Sequence, residues 1–192
     1  MTIKNCNLSD FMGKALIAMP NMTDERFVRS VIYICSDSKI DGVMGLIVNY
    51  PLKTVFFKDI LLQMNLSFGE EKFYPPVLDG GPVEDNRGFV LHSSEYRNSD
   101  TLLLRDDLAL STSQLALEDL VSGKGPKEAL FILGYAKWAP GQLEEEIAQN
   151  AWLVSEISNT FIFKEPFEKR WEIALNEMGL HPATLLCNQG TV

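Results

Sequence analysis

The chain has only three cysteines and two histidines, and no apolar run of membrane-spanning length. Cys6, Cys35 and Cys187 are odd in number and none stands in a CxxC pair. That excludes a disulfide framework and a thiolate zinc site, and the three read as reduced cytosolic thiols. A membrane span needs roughly 20 consecutive apolar residues, and no window supplies them. The opening residues 1–7 have no long apolar stretch behind a basic one, so no secretory leader is expected. These absences predict a cytoplasmic protein with no membrane partner. The three Asn-x-Ser/Thr sequons at Asn7, Asn21 and Asn65 would then never meet a glycosylating enzyme.

Positive charge is also scarce. Seventeen Lys plus Arg stand against 26 Asp plus Glu, a net charge of −9. A duplex-binding protein gathers basic residues on one face to displace counterions from phosphates. Here Lys124 and Lys127, or Lys164, Lys169 and Arg170, lie among Glu128, Glu165 and Glu168. Direct nucleic-acid binding is therefore not expected.

The familiar catalytic motifs are missing as well. No GxGxxG follows a strand, and Gly123-Lys124 is followed by Gly125 where a phosphate loop needs Ser or Thr. No GxSxG elbow occurs, and His92 and His181 cannot be joined to a nucleophile by sequence alone. His92 ends an apolar strand and reads first as a hydrogen-bonded strand-end residue. Its imidazole still leaves it as the one candidate proton carrier. Cys35 lies within an apolar strand, where a thiolate would not be stabilised. Glu144, Glu145 and Glu146 are immediate neighbours that point round a helix, which predicts a solvated acidic face and not a metal site. Asp106 and Asp107 read as a turn pair. No metal and no cofactor are expected.

What is present is an ordinary globular composition: 192 residues, 46% hydrophobic and 22% charged. One domain follows, large enough to bury roughly 70% of its unfolded surface. Residues 14–19 read as a strand stopped by Pro20, and residues 30–35 and 42–49 as a hairpin around Lys39-Ile-Asp-Gly42. Phe56, Phe57, Ile60, Leu61 and Met64 recur at helical spacing, predicting a helix over 55–64. Strands are predicted at 88–92, 101–104, 108–110, 129–135, 151–154 and 160–163. Helices are predicted after a Ser111–Gln114 capping box, over 142–149, and from Pro166 to Gly179. Early strands followed by alternation with helices favour an α+β domain with a mixed sheet. Residues 1–12 form a tail and 13–192 the domain. The polar residues 70–72 read as a loop.

The densest stretch is Gly134-Tyr-Ala-Lys-Trp-Ala-Pro-Gly-Gln-Leu143, a strand-to-helix junction with two glycines, a proline and large aromatics. Its amides could face an anion, or Trp138 and Trp152 could fill a packed corner. Gly80-Gly81-Pro82 marks a second sharp turn. These pieces occur in order with Gly13-Lys-Ala-Leu-Ile-Ala-Met-Pro20, Phe27-Val-Arg-Ser-Val31, Gly45-Leu-Ile-Val-Asn49 and Gly88-Phe-Val-Leu-His92. Together they resemble the bacterial AlgH/YqgE family from about Gly13 to Leu180. Lys137 stands where that family usually has glycine, Tyr50 where it often has arginine, and residues 188–192 lack its usual Gly-x-Ala ending.

The resemblance implies one α+β domain with a coiled, branched sheet packed by four to five helices. Members often carry the label of transcriptional regulator, and no catalytic residues transfer from them. A non-enzymatic cytoplasmic binding or regulatory protein is the first reading, acting through a protein partner or a small ligand. Its surface would comprise Asn49, Gly80, Gly81, Pro82, Val83, His92, Tyr135, Trp138 and Gln142. A hydrolase or transferase with His92 as base is the alternative, and a DNA-binding regulator the third, opposed by the charge.

Overall fold

The computed structural model describes residues 11–66, 74–105 and 107–181. The expected loop at 70–72, most of the expected tail, Asp106, and the chain after His181 lie outside these residues. Nine strands form one sheet: β1 (Ala15–Ala18), β2 (Val31–Ser38), β3 (Gly42–Ile47), β4 (Val77–Asp79), β5 (Val83–Ser93), β6 (Leu102–Arg105), β7 (Leu108–Ser111), β8 (Ala129–Trp138) and β9 (Trp152–Ser155). The helices are α1 (Phe57–Gln63), α2 (Gln114–Ser122), α3 (Gln142–Ala148), α4 (Asn159–Lys164) and α5 (Arg170–Glu177). The fold is α+β with a mixed sheet, since β4 runs parallel to β8 while the other pairs are antiparallel.

The strands run in the order β6-β7-β5-β8-β3-β2-β1-β9, and β4 branches off β8. β8 can serve three neighbours because it is long and apolar. Its first half pairs with β5 and β4, and its last three residues pair with β3. The two ends of the order are tied together. Arg105 at the end of β6 donates to the Ile157 carbonyl (2.6 Å) and to Asn159 Oδ1 (3.0 Å), just beyond β9, and Asn159 returns a bond to the Asp107 carbonyl (2.6 Å).

Alternation along each strand sorts side chains onto opposite faces, as a period of two requires. Ala15, Ile17, Val31 and Tyr33 join one apolar cluster with Phe161, Trp171 and Leu175 of α4 and α5. Leu16, Ala18, Ile32 and Ile34 join another with Trp138, Leu143 and Trp152. A third holds α1 and α2 against β5 and β8 through Phe57, Leu61, Leu117, Val90 and Phe131. Phe11, inside the expected tail, is buried, and its amide donates to Asp37 (2.8 Å).

Four local expectations are corrected. Residues 160–163 were predicted as a strand because Thr160, Phe161, Ile162 and Phe163 favour one, yet they lie in α4. Ser158 caps that helix by accepting from the Phe161 amide (3.1 Å), and tertiary burial of Phe161 and Ile162 overrides propensity. The N-cap of α2 is Ser113 and not Ser111, and Asp100 supplies the acceptor: the Thr112 and Ser113 amides donate to its carboxylate at 3.2 and 2.8 Å. The last helix starts later than Pro166, after a single 3-10 turn at Phe167–Lys169. Within the helix predicted at 55–64, Phe56 is 63% exposed, because the helix begins one residue later and buries Phe57 and Leu61.

Arg170 was read as part of a scattered basic group. It is instead buried, donating to the carbonyls of Val48 and Glu165 and lying 4.0 Å from the Phe167 ring centre. Burial lowers its pKa to about 10.

Candidate functional site

Two features of β8 organise the site. The first is a crossing of backbones. Gly134 has φ +74, and a β-carbon there would lie 2.4 Å from the Gly81 carbonyl oxygen. One on Gly80 would lie 2.3 Å from the Gly134 oxygen. The 80–81 turn and β8 therefore touch main chain to main chain, a contact that only glycine allows. The Gly80 amide donates to the Leu133 carbonyl (2.7 Å), and the Gly80 carbonyl accepts from Ile47 (3.0 Å). This is where the sheet branches.

The second feature lies at the far end of β8. Trp138 and Trp152 are both only 3% exposed, with ring centres 5.9 Å apart and nearly perpendicular. Phe27 packs on both, at 6.4 and 5.7 Å. One carboxylate fixes the pair: Glu146 Oε2 accepts from the Trp138 indole (2.9 Å) and the Trp152 indole (2.7 Å), and its Oε1 accepts from the Gln142 amide (2.8 Å). Gln142 in turn accepts from the Ala139 amide (3.0 Å). The expected solvated acidic face is thus corrected at Glu146, which faces the indoles because it lies one helical turn beyond Gln142. Of the two readings of this junction, the packed corner describes its geometry: the 139 amide is taken by Gln142, and the central group is itself an anion.

The crossing delivers Pro82 and Val83 to the same place. They share one cleft of about 320 Å³ with Trp138 and Gln142, joined by Asp24, Arg26, Phe27, Lys137, Glu146 and Trp152. The cleft carries two acids and two bases. Arg26 and Asp24 form an ion pair (2.6 Å), whose side-chain hydrogen bond lowers the Asp24 pKa and raises that of Arg26. Half-exposed and screened, the pair adds little stability.

The other named candidates lie elsewhere. Asn49 is a buried clip, accepting from the Val31 amide (2.7 Å) and donating to the Arg29 carbonyl (2.9 Å). Tyr135 packs edge-on against Phe89 at 5.9 Å between ring centres, turned away from the cleft into the first apolar cluster. His92 is fully buried. One ring nitrogen meets the Ser93 carbonyl (2.9 Å), the other the Ser111 hydroxyl (3.0 Å), and burial lowers its pKa. A base so enclosed has no substrate to reach, and its place between β5 and β7 explains it as a core hydrogen-bonding residue. Cys35 is buried too, and burial pushes its thiol pKa up. The cleft therefore offers an aromatic wall, an amide and balanced charges, which suit recognition more than bond-making.

A family model described as AlgH-like matches residues 15–183. The chain belongs to the AlgH-like family. UPF0301 proteins of Paracoccus denitrificans (strain Pd 1222) and Rhodopseudomonas palustris (strain HaA2) are each 44% identical to it. The matches cover 95% and 93% of this chain, and 97% and 85% of theirs. The solution structure of the AlgH protein from Pseudomonas aeruginosa superposes with a TM-score of 0.78 at 34% identity, over all of both chains. A crystal structure from Corynebacterium diphtheriae shares the fold at a TM-score of 0.69 and 20% identity, covering 88% of this chain and 87% of that one.

Within this AlgH-like chain, two of the departures from the family pattern have clear places, and the third, at residues 188–192, lies outside the described residues. Lys137 is exposed on the cleft rim, opposite Met44 in the β3–β8 register. Tyr50 donates to the Val28 carbonyl (2.5 Å), and burial raises its pKa to about 12. Phe27 and Glu146 were not among the site residues expected from sequence. The only signal available was a glutamate between two tryptophans, which spacing alone does not assign. Among the described residues, no helix is long and apolar enough to cross a membrane.

Proposed function

We propose that this AlgH-like protein is a non-enzymatic binding protein of the cytoplasm, acting in regulation through a small ligand or protein segment held in the Trp138 cleft. One observation carries the reading: the Pro82–Val83 turn and the Trp138–Gln142 junction, far apart in the chain, line one cleft whose aromatic wall is locked by Glu146. Such a wall accepts an apolar or aromatic group, while Gln142, Lys137 and Arg26 supply polar contacts at the rim. The volume, about 320 Å³, suits a small molecule or one or two side chains.

The site contains its own reporter, since two of the three tryptophans line it. Titration of an aromatic-compound and peptide panel should produce a saturable change in indole fluorescence. Phe27→Ala and Gln142→Ala should weaken it without altering the fold, judged by circular dichroism. A ligand whose binding ignores both substitutions would remove the cleft from the proposal.

A further inference from the structure

A second cavity, of about 560 Å³, lies between α1 and α2 over the outer face of β5 and β8. That volume is in the range occupied by small ligands. Its floor is Val90, Phe131 and Leu133, and its walls include Ile60 of α1 and Leu117 of α2. Gly88 lets the Phe131 ring lie against the strand, because a β-carbon there would sit 2.6 Å from a ring carbon. The floor is thus a flat apolar surface with room above it.

The rim is one-signed. Among the described residues, Asp59 and Asp85 are the charged ones lining the cavity, with no Lys or Arg beside them. The start of α2 borders it, but Asp100 already satisfies the amides of Thr112 and Ser113. The positive end of that helix is therefore neutralised and does not draw an anion. The side chains of Asp85, Asn86 and Gln63 make no hydrogen bond among the described residues, so they can turn to a ligand. Apolar floor and acidic rim together select an occupant with an apolar body and a cationic head.

We propose that this cavity binds a small apolar amine, with its hydrocarbon or aromatic body on Val90, Phe131 and Leu117 and its ammonium facing Asp59 and Asp85. The proposal is independent of the Trp138 cleft, which lies at the other end of β8.

The test uses the full chain and three probes with one body and different heads: 4-phenylbutylamine, 4-phenylbutanol and 4-phenylbutyrate. Methyl-resolved NMR titrations should show saturable shifts at Ile60, Val90, Leu117 and Leu133. The amine should bind about tenfold tighter than the alcohol, the scale of two solvent-screened charge pairs, and the acid most weakly. Raising salt from roughly 0.05 to 0.5 M should narrow that preference. In the double variant Asp59→Asn, Asp85→Asn the amine should fall to the alcohol's affinity. Both positions are exposed, and asparagine can still accept from the Phe56 amide as Asp59 does, so the variant should fold. Equal binding of the acid and the amine would overturn the proposal. So would amine binding unchanged in the double variant, or shifts confined to the Trp138 cleft. A dimer in sedimentation whose formation shifts the same methyl groups as the protein is concentrated without any amine would also overturn it.

Discussion

The middle and the end of β8 solve opposite packing problems. At Gly134 the strand meets the 80–81 turn with no side chain between them, and the contact is main chain on main chain. At Trp138 the same strand ends in its largest side chain, packed on Phe27 and Trp152 and tied to the latter through a single carboxylate. A backbone contact has no rotamer with which to adjust. An aromatic wall fixed by hydrogen bonds can tilt or admit a guest at the cost of a bond or two. The crossing therefore specifies the fold, and on the proposed reading the Trp138 corner is the end at which the molecule responds.

The sharpest way to break this contrast is Gly134→Ala. A methyl group 2.4 Å from the Gly81 oxygen, on a residue at φ +74, meets an obstacle that cannot rotate away. Strain and overpacking together should cost about 3 kcal/mol or more, read as a lower midpoint in urea denaturation. A loss under 1 kcal/mol would mean that the crossing is not rigid. Next comes Glu146→Ala, which leaves two buried indole N–H groups without their shared acceptor. It should cost about 2 kcal/mol and shift indole emission to the red while the sheet persists. If it instead unfolds the chain outright, the responsive end is as structural as the crossing.

His92 sharpens the comparison on the crossing's side of the sheet. Its pKa is lowered by burial, so the unfolded chain binds a proton near pH 6.5 that the folded chain refuses. Stability should be full above pH 6.5 and fall on acidification until the lower folded-state pKa is passed. The slope should not exceed about 1.4 kcal/mol per pH unit. Denaturation curves from pH 7.5 to 5 for the native chain and His92→Gln would measure it, and the glutamine variant should lose that component of the slope. The smallest effect belongs to Lys137→Ala at the cleft rim: within about 0.5 kcal/mol in thermal melts, since the side chain is exposed. A larger loss would place Lys137 in the support of the fold.

Much of the architecture could be read from local pattern. The β2–β3 hairpin was visible in two apolar runs around Lys39-Ile-Asp-Gly42, and α2 in its leucines and terminal Gly123, which takes φ +78 as a helix stop does. The branching of the sheet came only with the family resemblance, because pairing of residues 80 and 134 leaves no local periodicity. The failures have the same origin. Thr160-Phe-Ile-Phe163 has strand-like composition, and burial against the first cluster together with the Ser158 cap makes it helical. The site was half legible. Glycine and indole stretches marked Pro82, Val83, Trp138 and Gln142, which do converge. Asn49, Tyr135 and His92 stood out in the same stretches, yet each is occupied inside the structure, which a single sequence does not distinguish from exposure. Phe27 and Glu146 enter through contacts across the fold.

β8 is also the strand on which β3, β4 and β5 all depend. During synthesis these three emerge first and have no common partner until residues 129–138 leave the ribosome. Their exposed edges are then open to pairing with other nascent chains. A translational pause before residues 129–138 have cleared the exit tunnel would lengthen that interval, and a pause after they have cleared it would not. The order of the chain thus makes the emergence of β8 the step that ends this exposure to misassembly.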